Sequence, residues 1–330
     1  MTALRTTFYS YKGGVGRTLA LLNVAALLAS NRRKVVAVDL DLEAPGFGLS
    51  AFTRRDSSSA GYGVSDFLKD RLQGGRRDLR EFSYRLSSEK LRNPLAEFHL
   101  IPVGTQPAWL TAQIPQIYRD PSADMAELFL LLLDEIEAAL APDFIFFDSR
   151  TGRADIAGVA LLELPQVVVA VSALNEQNVS GMRDVLAQLR THPARPSKLL
   201  TLLALSPVPT ELLSQRKSDW LLSQIDPDEV PADPRERLLW KRLAIAQADL
   251  FAPLQVDFSG VQPWFPDVSD RDLYHVLPYD PIVPLTDELQ IVHASELARA
   301  YGRLAHVIAS ARTGDGGLPT LAKTVGPLIS

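Results

Sequence analysis

The stretch FYSYKGGVGRTLALLNVAALLA, residues 8–29, decides the fold. It opens with aromatic residues typical of a buried strand, then has glycines at positions 13, 14 and 16, and continues as an Ala- and Leu-rich run that predicts a helix over 18–30. Glycine lets the backbone adopt positive φ and approach a ligand closely, and the amide groups at a helix N-terminus attract anions. The stretch therefore predicts a phosphate-binding loop between a strand and a helix.

The fit of this loop to known phosphate-binding patterns is incomplete. In the pattern G-x-x-x-x-G-K-[ST], Gly16, Arg17 and Thr18 fill the last three places, with arginine for lysine, and Tyr11 stands where the first glycine is expected. The dinucleotide pattern G-x-G-x-x-G fits less well, because Leu19 stands in place of its third glycine. A purely structural glycine turn stays open as an alternative, although the flanking strand and helix favour a phosphate cradle.

The rest of the chain alternates apolar strand-like runs with helical runs. This alternation predicts an α/β fold with a mostly parallel central sheet and helices on both faces. Strands are predicted at 6–11, 34–40, 97–103, 143–149, 166–172, 199–206 and 272–279, and helices at 18–30, 123–140, 177–191 and 293–312. We expect one domain over 1–312, with an insertion of short helices at about 51–96, an insertion of helices and loops at about 207–270, and a flexible C-terminal tail at 313–330.

Acidic residues follow two of the predicted strands. In VDLDLEAPGFG, Asp39 and Asp41 lie two residues apart at a strand's carboxyl end, so both carboxylates could face one site. A turn or helix-cap role is the alternative for Asp41. In FIFFDSRTG, Asp148 follows four apolar residues, as in a Walker B strand, and Arg150 is a candidate phosphate or dimer contact or a solvated charge, as is Arg153. The three motifs occur in the order that a nucleotide site requires.

Composition excludes several function classes. The chain has no cysteine, which rules out disulfides, thiolate metal sites and iron–sulfur clusters. It has no apolar run long enough to span a membrane and no signal-like apolar core near residue 1, so a cytoplasmic location is expected. The net charge of −5 does not favour wholesale nucleic-acid binding, although the basic stretch at 74–92 could form a patch for nucleic acid or a partner.

The motif K-G-G-V-G-R-T after a strand resembles the deviant Walker A loop of the MinD/ParA-type P-loop ATPases, in its KGGVGR variant. The resemblance covers roughly residues 5–205 and returns at LPYDPIVP, residues 277–284. It implies a SIMIBI-like P-loop NTPase fold, binding of ATP or ADP with Mg²⁺, and hydrolysis of ATP. It also implies an ATP-dependent homodimer that acts as a switch for a protein partner.

The resemblance also assigns roles to individual residues. It implies that Lys12 reaches across a dimer to the partner's nucleotide, that Asp41 positions the attacking water, and that Arg17 takes the place of the usual catalytic lysine. The residues implied to bind nucleotide are Gly13, Gly14, Val15, Gly16, Arg17, Thr18, Leu19, Gly152, Pro278 and Asp280. Those implied to bind Mg²⁺ are Thr18, Asp39 and Asp148.

Arg17 leaves the hydrolysis rate open. A guanidinium keeps the positive charge of lysine, so nucleotide binding is expected, but its planar fork differs from a point charge. A loss of about 1.4 kcal/mol of transition-state stabilisation would slow the reaction tenfold. A sensor or scaffold with little turnover is therefore the main alternative, and a metabolic enzyme on the same fold is the third. The tail at 313–330 lacks the basic amphipathic helix of membrane-bound relatives, so a membrane helix is not expected.

Overall fold

The computed structural model describes residues 2–41, 45–47, 61–86, 91, 93, 95–117, 125–149, 160–192, 198–212, 231–283, 289–290 and 295–312. Within these ranges the strands form a single sheet. They are β1 (Leu4–Ser10), β2 (Lys34–Asp39), β3 (Tyr84–Arg85), β4 (Glu97–Ile101), β5 (Phe144–Asp148), β6 (Val167–Ser172), β7 (Leu200–Val208) and β8 (Tyr274–Pro278).

The sheet is parallel apart from one short edge strand. Its order is β3-β4-β2-β5-β1-β6-β7-β8, and only the β3–β4 pair is antiparallel. Central strands such as β2, KVVAVD, and β6, VVVAVS, are almost continuously apolar because both faces of a parallel sheet are covered. In the register of β2 and β5, Asp39 lies opposite Asp148, so two carboxylates meet at the carboxyl edge of the sheet.

Helices cover both faces of the sheet, as the sequence predicts. The described helices are α1 (Arg17–Ser30), α2 (Val64–Leu72), α3 (Pro107–Ile117), α4 (Met125–Leu140), α5 (Glu176–Thr191), α6 (Pro234–Ala246), α7 (Ala252–Val261) and α8 (Glu296–Ser310), with a π-helical turn at Gln247–Phe251 between α6 and α7. Alternate side chains of β2 pack in two separate clusters, with Val35 in the core beside α1 and α8, and Val36 in the core beside α2 and α4. This is the α/β layering expected for the chain.

The predicted elements differ from the observed ones mainly at their ends. All seven predicted strands are present, but β1 begins at Leu4 and ends at Ser10, one residue before the predicted end. The two-residue strand β3 and the helix α3 were not predicted. The predicted tail at 313–330 lies outside the described residues, as do 51–60, 87–90, 92 and 94 of the first predicted insertion and 213–230 of the second.

Candidate nucleotide-binding site

The glycine-rich loop joins β1 to α1 at the carboxyl edge of the sheet. Gly14 and Gly16 have φ angles of +79° and +80°, in the left-handed region that favours glycine. No described atom lies within 4 Å of an ideal Cβ at Gly13 or Gly14, so the backbone there faces open space. Gly16 is the N-cap of α1 and offers no side chain to the first-turn amides. The loop therefore presents backbone N–H groups at a helix N-terminus, as an anion site requires.

Arg17 does not extend toward solvent but is buried against two aspartates. Its Nε donates to Asp148 Oδ1 at 2.5 Å, and its Nη2 donates to Asp41 Oδ2 at 3.0 Å. Its side chain is only 7% exposed, as is that of Asp41, and Asp148 is fully buried. The third nitrogen, Nη1, is buried without a hydrogen-bond partner among the described residues. Arg17 thus joins Asp148, at the end of β5, to Asp41, which follows β2, and its Nη1 donates to no described residue.

Thr18 and Asp148 form the second part of the site. Thr18 Oγ1 donates to Asp148 Oδ2 at 2.5 Å, so both oxygens of this carboxylate are occupied, one by Arg17 and one by Thr18. The backbone at Gly46 packs closely over this pair, because an ideal Cβ there would lie 2.6 Å from Thr18 Cγ2 and 3.3 Å from Asp148 Oδ2. The short described segment 45–47 therefore rests directly on the hydroxyl and the carboxylate.

Asp39 has a different set of partners from Asp41. Its Oδ1 accepts from the Asp41 amide at 3.0 Å, and its Oδ2 accepts from the amides of Gly46 and Phe47, both at 2.9 Å. These three bonds tie the backbone that follows β2 to the end of the strand. The sequence predicts both aspartates at one site, and the structure brings both there: Asp39 contacts backbone amides and Asp41 contacts Arg17.

Burial shapes the electrostatics of this cluster. Burial raises the pKa of Asp39 well above its usual range, and the charge of Asp148 raises it further. Burial also raises the pKa of Asp148, although Arg17 opposes that shift. For Arg17 itself burial opposes the charged form, but Asp148 and Asp41 outweigh it and raise its pKa. Arg17 therefore remains a cation beside a group of crowded acidic side chains.

Lys12 lies at the start of the loop and is partly exposed. It makes no hydrogen bond or ion pair with any residue that the structure describes. Its neighbour Tyr11 leaves β1 and packs its ring on Gly181 of α5, where an ideal Cβ would lie 2.2 Å from Tyr11 Cδ1. Gly181 thus makes room for the ring that precedes Lys12. The sequence reasoning missed this pair; the available signal was a glycine inside a helix, which usually has a packing reason.

The end of β7 and the end of β8 extend the site along the sheet edge. Ser206 Oγ lies 3.4 Å from an ideal Cβ at Gly16, so this hydroxyl borders the glycine loop. Pro278, an expected base contact, pairs with Val208, and the next amide, that of Tyr279, donates to Val208 O at 2.7 Å. Asp280 accepts from the Ile282 amide through Oδ1 at 3.0 Å. The expected base-binding residues Pro278 and Asp280 therefore lie at and just beyond the end of β8, the strand that pairs with β7 and its Ser206.

The remaining predicted site residues divide into two groups. Val15 is buried, and Leu19 is partly buried against the core. The expected γ-phosphate contact Gly152, together with Arg150 and Arg153, lies outside the described residues.

The oxygen donors at this edge suit a magnesium ion. Within the described ranges no group of three or more His, Cys, Asp or Glu side chains is arranged to hold a metal ion alone. Mg²⁺ typically binds one or two protein oxygens and completes its shell with water and substrate phosphates. Thr18 Oγ1 and Asp148 provide such oxygens next to the open glycine loop, so the residues present fit a nucleotide with its magnesium ion.

Comparison with solved structures defines the fold class. The chain has the fold of the MinD/ParA-type P-loop ATPases. It is similar to the MinD cell division protein of Aquifex aeolicus, with a TM-score of 0.54 and 15% identity over 94% of this chain and 95% of that one. It is also similar to the MinC:MinD cell division protein complex from Aquifex aeolicus, with a TM-score of 0.52 and 15% identity over 96% of this chain and 100% of the other.

A third similar structure is a putative plasmid partition protein from Borrelia burgdorferi B31 bound to AMPPNP. The TM-score is 0.53 at 13% identity, over 94% of this chain and 99% of that chain. No protein-family model and no curated protein sequence matches the chain significantly. None of the helices in the described ranges is long and apolar enough to cross a membrane.

Proposed function

We propose that the chain is a magnesium-dependent ATPase that dimerises when it binds ATP and thereby switches the binding of a protein partner. The observation that carries the proposal is the open glycine loop at the N-terminus of α1, with Thr18 bonded to a buried aspartate at the end of β5. Backbone amides from Gly13 to Leu19 would hold the phosphates of ATP or ADP. A likeness of fold to a putative plasmid partition protein bound to AMPPNP supports the same proposal.

The metal site of this proposal uses the same oxygens. Thr18 and Asp148 would hold Mg²⁺, with Asp39 fixing the neighbouring backbone through three amides. The ion would supply positive charge that neutralises the phosphate oxygens. Pro278 and Asp280 would contact the base, and Gly152 would contact the terminal phosphate.

Two residues carry the proposed catalytic steps. Asp41 would orient the attacking water, since its carboxylate lies beside the loop at the end of β2. Arg17 would stabilise charge on the phosphates, and its buried Nη1 is a donor that no described residue uses. Lys12 would cross to the nucleotide of a second copy, which agrees with a partly exposed ammonium that has no partner among the described residues.

A protein is the partner that we favour over nucleic acid. The mildly acidic chain, with a net charge of −5, does not favour binding to a polyanion. One of the similar structures is a complex of MinD with the protein MinC. Together with the absence of cysteine, these features agree with a cytoplasmic switch protein that binds another protein.

Light scattering of the purified chain tests the switch. Mass is measured without nucleotide, with ADP and with ATP plus Mg²⁺, alongside phosphate release. We expect ATP alone to double the mass, Lys12→Ala to abolish the doubling, and Asp41→Ala to retain the dimer while phosphate release stops. Lys241→Ala, at an exposed lysine of α6, is the matched control and should behave as wild type. An unchanged mass in every state contradicts the proposed switch.

The contact between Arg17 and Asp41 favours one second candidate, a nucleotide-binding sensor or scaffold with little turnover. In the ion pair the carboxylate that would orient water faces a guanidinium at 3.0 Å. If this pair persists when nucleotide is bound, the site would hold ATP without hydrolysing it. ATP binding with one nucleotide per chain but no phosphate release would select this candidate.

A further inference from the structure

The carboxyl edge of the sheet concentrates acidic groups in a buried place. Asp39 and Asp148 have no solvent exposure, and Asp41 is also buried. A buried carboxylate needs a compensating charge or several hydrogen bonds to be stable. Asp39 has three backbone amides, whereas Asp148 has a hydroxyl and the guanidinium of Arg17. The charged partner of Asp148 among the described residues is therefore Arg17.

The shape of the arginine side chain matters for this arrangement. Nε and Nη2 lie on the same edge of the planar guanidinium and point at two different carboxylates, Asp148 and Asp41. A lysine ammonium is a compact point charge and lacks this fork geometry. The arginine thus joins the strand ends β2 and β5 through two charge-assisted bonds at once.

These bonds occupy the oxygens that a magnesium ion would need. Asp148 Oδ1 accepts from Arg17 and Oδ2 accepts from Thr18, and the backbone at Gly46 packs against Thr18 and Asp148. Mg²⁺ requires oxygens at about 2.1 Å in near-octahedral geometry and keeps a water shell. Each carboxylate oxygen has two lone pairs, so these bonds alone do not exclude a metal ion. The guanidinium of Arg17, 2.5 Å from Asp148 Oδ1, would however repel a second cation at this carboxylate.

We infer that Arg17 is a built-in counter-ion that takes the electrostatic place of magnesium at Asp148 when no nucleotide is bound, so that Arg17 and the metal compete for the same carboxylate. The identification of that metal position rests on the proposed function, but the role of Arg17 as counter-ion does not. Without metal, Arg17 compensates the charge of Asp148, so that the acidic cluster stays folded. When nucleotide and Mg²⁺ bind, Mg²⁺ replaces Arg17 as the cation beside Asp148.

Thermal unfolding without nucleotide tests the inference. The melting temperature is measured in EDTA and in millimolar Mg²⁺, at ionic strength matched with KCl. Wild type should show the same melting temperature in both buffers. Arg17→Met should melt about 5–10 °C lower in EDTA, because a buried carboxylate loses its partner, and should regain part of that loss in Mg²⁺. Arg235→Met, which removes an exposed arginine paired with Asp233, is the control and should show neither effect.

Two further variants keep the test decisive. The double variant Arg17→Met with Asp148→Asn should melt above Arg17→Met and lose its response to Mg²⁺, because the uncompensated charge is gone. If Arg17→Met does not fold, Arg17→Lys takes its place, with a smaller loss and a smaller response to Mg²⁺, because its ammonium keeps a positive charge but lacks the fork that pairs with both carboxylates. The inference is overturned if the melting temperature of the wild type rises in Mg²⁺ without nucleotide. It is also overturned if Arg17→Met melts at the wild-type temperature or if its melting temperature does not change with Mg²⁺. Since no nucleotide is present, these outcomes are independent of whether ATP dimerises the chain.

Discussion

Two arginines in this molecule each bind a pair of carboxylates. Arg17 does so at the carboxyl edge, bridging Asp41 and Asp148. Arg71, at the end of α2, binds Glu135 of α4 with both Nε and Nη2, at 2.8 Å and 2.6 Å, and binds Asp70 with Nη1. Both side chains are nearly buried, at 7% and 10% exposure, so burial alone does not distinguish them.

The difference lies in how completely each guanidinium is satisfied. Arg71 also donates to the carbonyl oxygens of Gly75 and Arg77, so all its nitrogens have acceptors and it holds a turn together. Arg17 leaves Nη1 buried without a partner among the described residues. A satisfied buried cluster stabilises one structure, whereas a donor left unused suits a site that changes partners. We infer that Arg71 has a purely structural role and that Arg17 belongs to the proposed nucleotide site.

The largest effect on activity should come from Asp41, one of the two carboxylates that contact Arg17. Asp41→Asn should lower phosphate release by about 100-fold or more, because positioning a water by a charged acceptor is typically a contribution of that size. Phosphate release under saturating ATP and Mg²⁺ measures it.

Glu135→Gln is the matched control at the other arginine and should leave phosphate release at the wild-type level. Equal loss in the two variants would remove the distinction between the clusters.

The ion pairs of Arg71 with Asp70 and Glu135 should affect the stability of the chain but not its phosphate release. Arg71→Met should lower the free energy of unfolding by about 2 kcal/mol, less than for a fully buried pair because Glu135 is 29% exposed. Urea unfolding measures the change, and the melting temperature of the variant should be the same in EDTA and in Mg²⁺. A response to Mg²⁺ here would mean that the response at Arg17 is not specific to the site.

Buried side-chain atoms without a hydrogen-bond partner among the described residues also occur outside the Arg17 cluster, for example at His275. His275 on β8 is buried, its Nε2 has no hydrogen-bond partner within the described residues, and burial, reinforced by Arg303 and opposed by Asp272, lowers its pKa to about 4 from 6.5. The folded state therefore favours the neutral ring, and its stability is lost as the pH falls below the unfolded value of 6.5.

We expect the free energy of unfolding to fall by about 2 kcal/mol between about pH 7 and pH 5 through this residue. Urea unfolding at several pH values measures the slope, and His275→Gln should flatten it while leaving ATP-dependent phosphate release intact. A slope that is the same in both proteins would assign the pH dependence elsewhere.

The smallest effect should come from a methyl group placed over the site. Gly46→Ala would bring Cβ within 2.6 Å of Thr18 Cγ2 and 2.9 Å of Thr18 Oγ1, so the segment 45–47 must shift. We expect a loss of about 1 kcal/mol in stability, seen as a lower urea midpoint. Gly260→Ala in α7, where no described atom lies within 4 Å of the new Cβ, should be neutral or slightly stabilising. Equal midpoints for the two variants would show that segment 45–47 does not rest firmly on Thr18.

The sequence predicted the sheet well because a buried parallel strand leaves a local signal. Runs such as FIFFD and VVVAVS are apolar throughout, and each was placed within a few residues of its observed bounds. Strand β3 has only two residues, Tyr84 and Arg85, which is too few to leave a periodic pattern. The end of β1 was placed one residue late because Tyr11 is aromatic, and its ring packs on Gly181, 170 residues further along the chain.

The positions of the candidate site residues could be predicted, but their partners could not. Glycines, aspartates and strand ends are local features, so the loop at 12–18, the pair Asp39 and Asp41, and Asp148 were all identified from the sequence. The bonds from Arg17 to Asp41 and Asp148 join residues 24 and 131 positions apart. They depend on the order of strands β2, β5 and β1, which places the three side chains together only after folding.

Calorimetric titration of ATP into the chain, with and without Mg²⁺, tests the central claim most directly. We predict one ATP bound per wild-type chain, more tightly with Mg²⁺ than without it. Thr18→Val, which keeps the backbone amides but removes the hydroxyl, should bind ATP with no gain from Mg²⁺. An absence of ATP binding by the wild type, or the same gain from Mg²⁺ in both proteins, would contradict a nucleotide and metal site at this glycine loop.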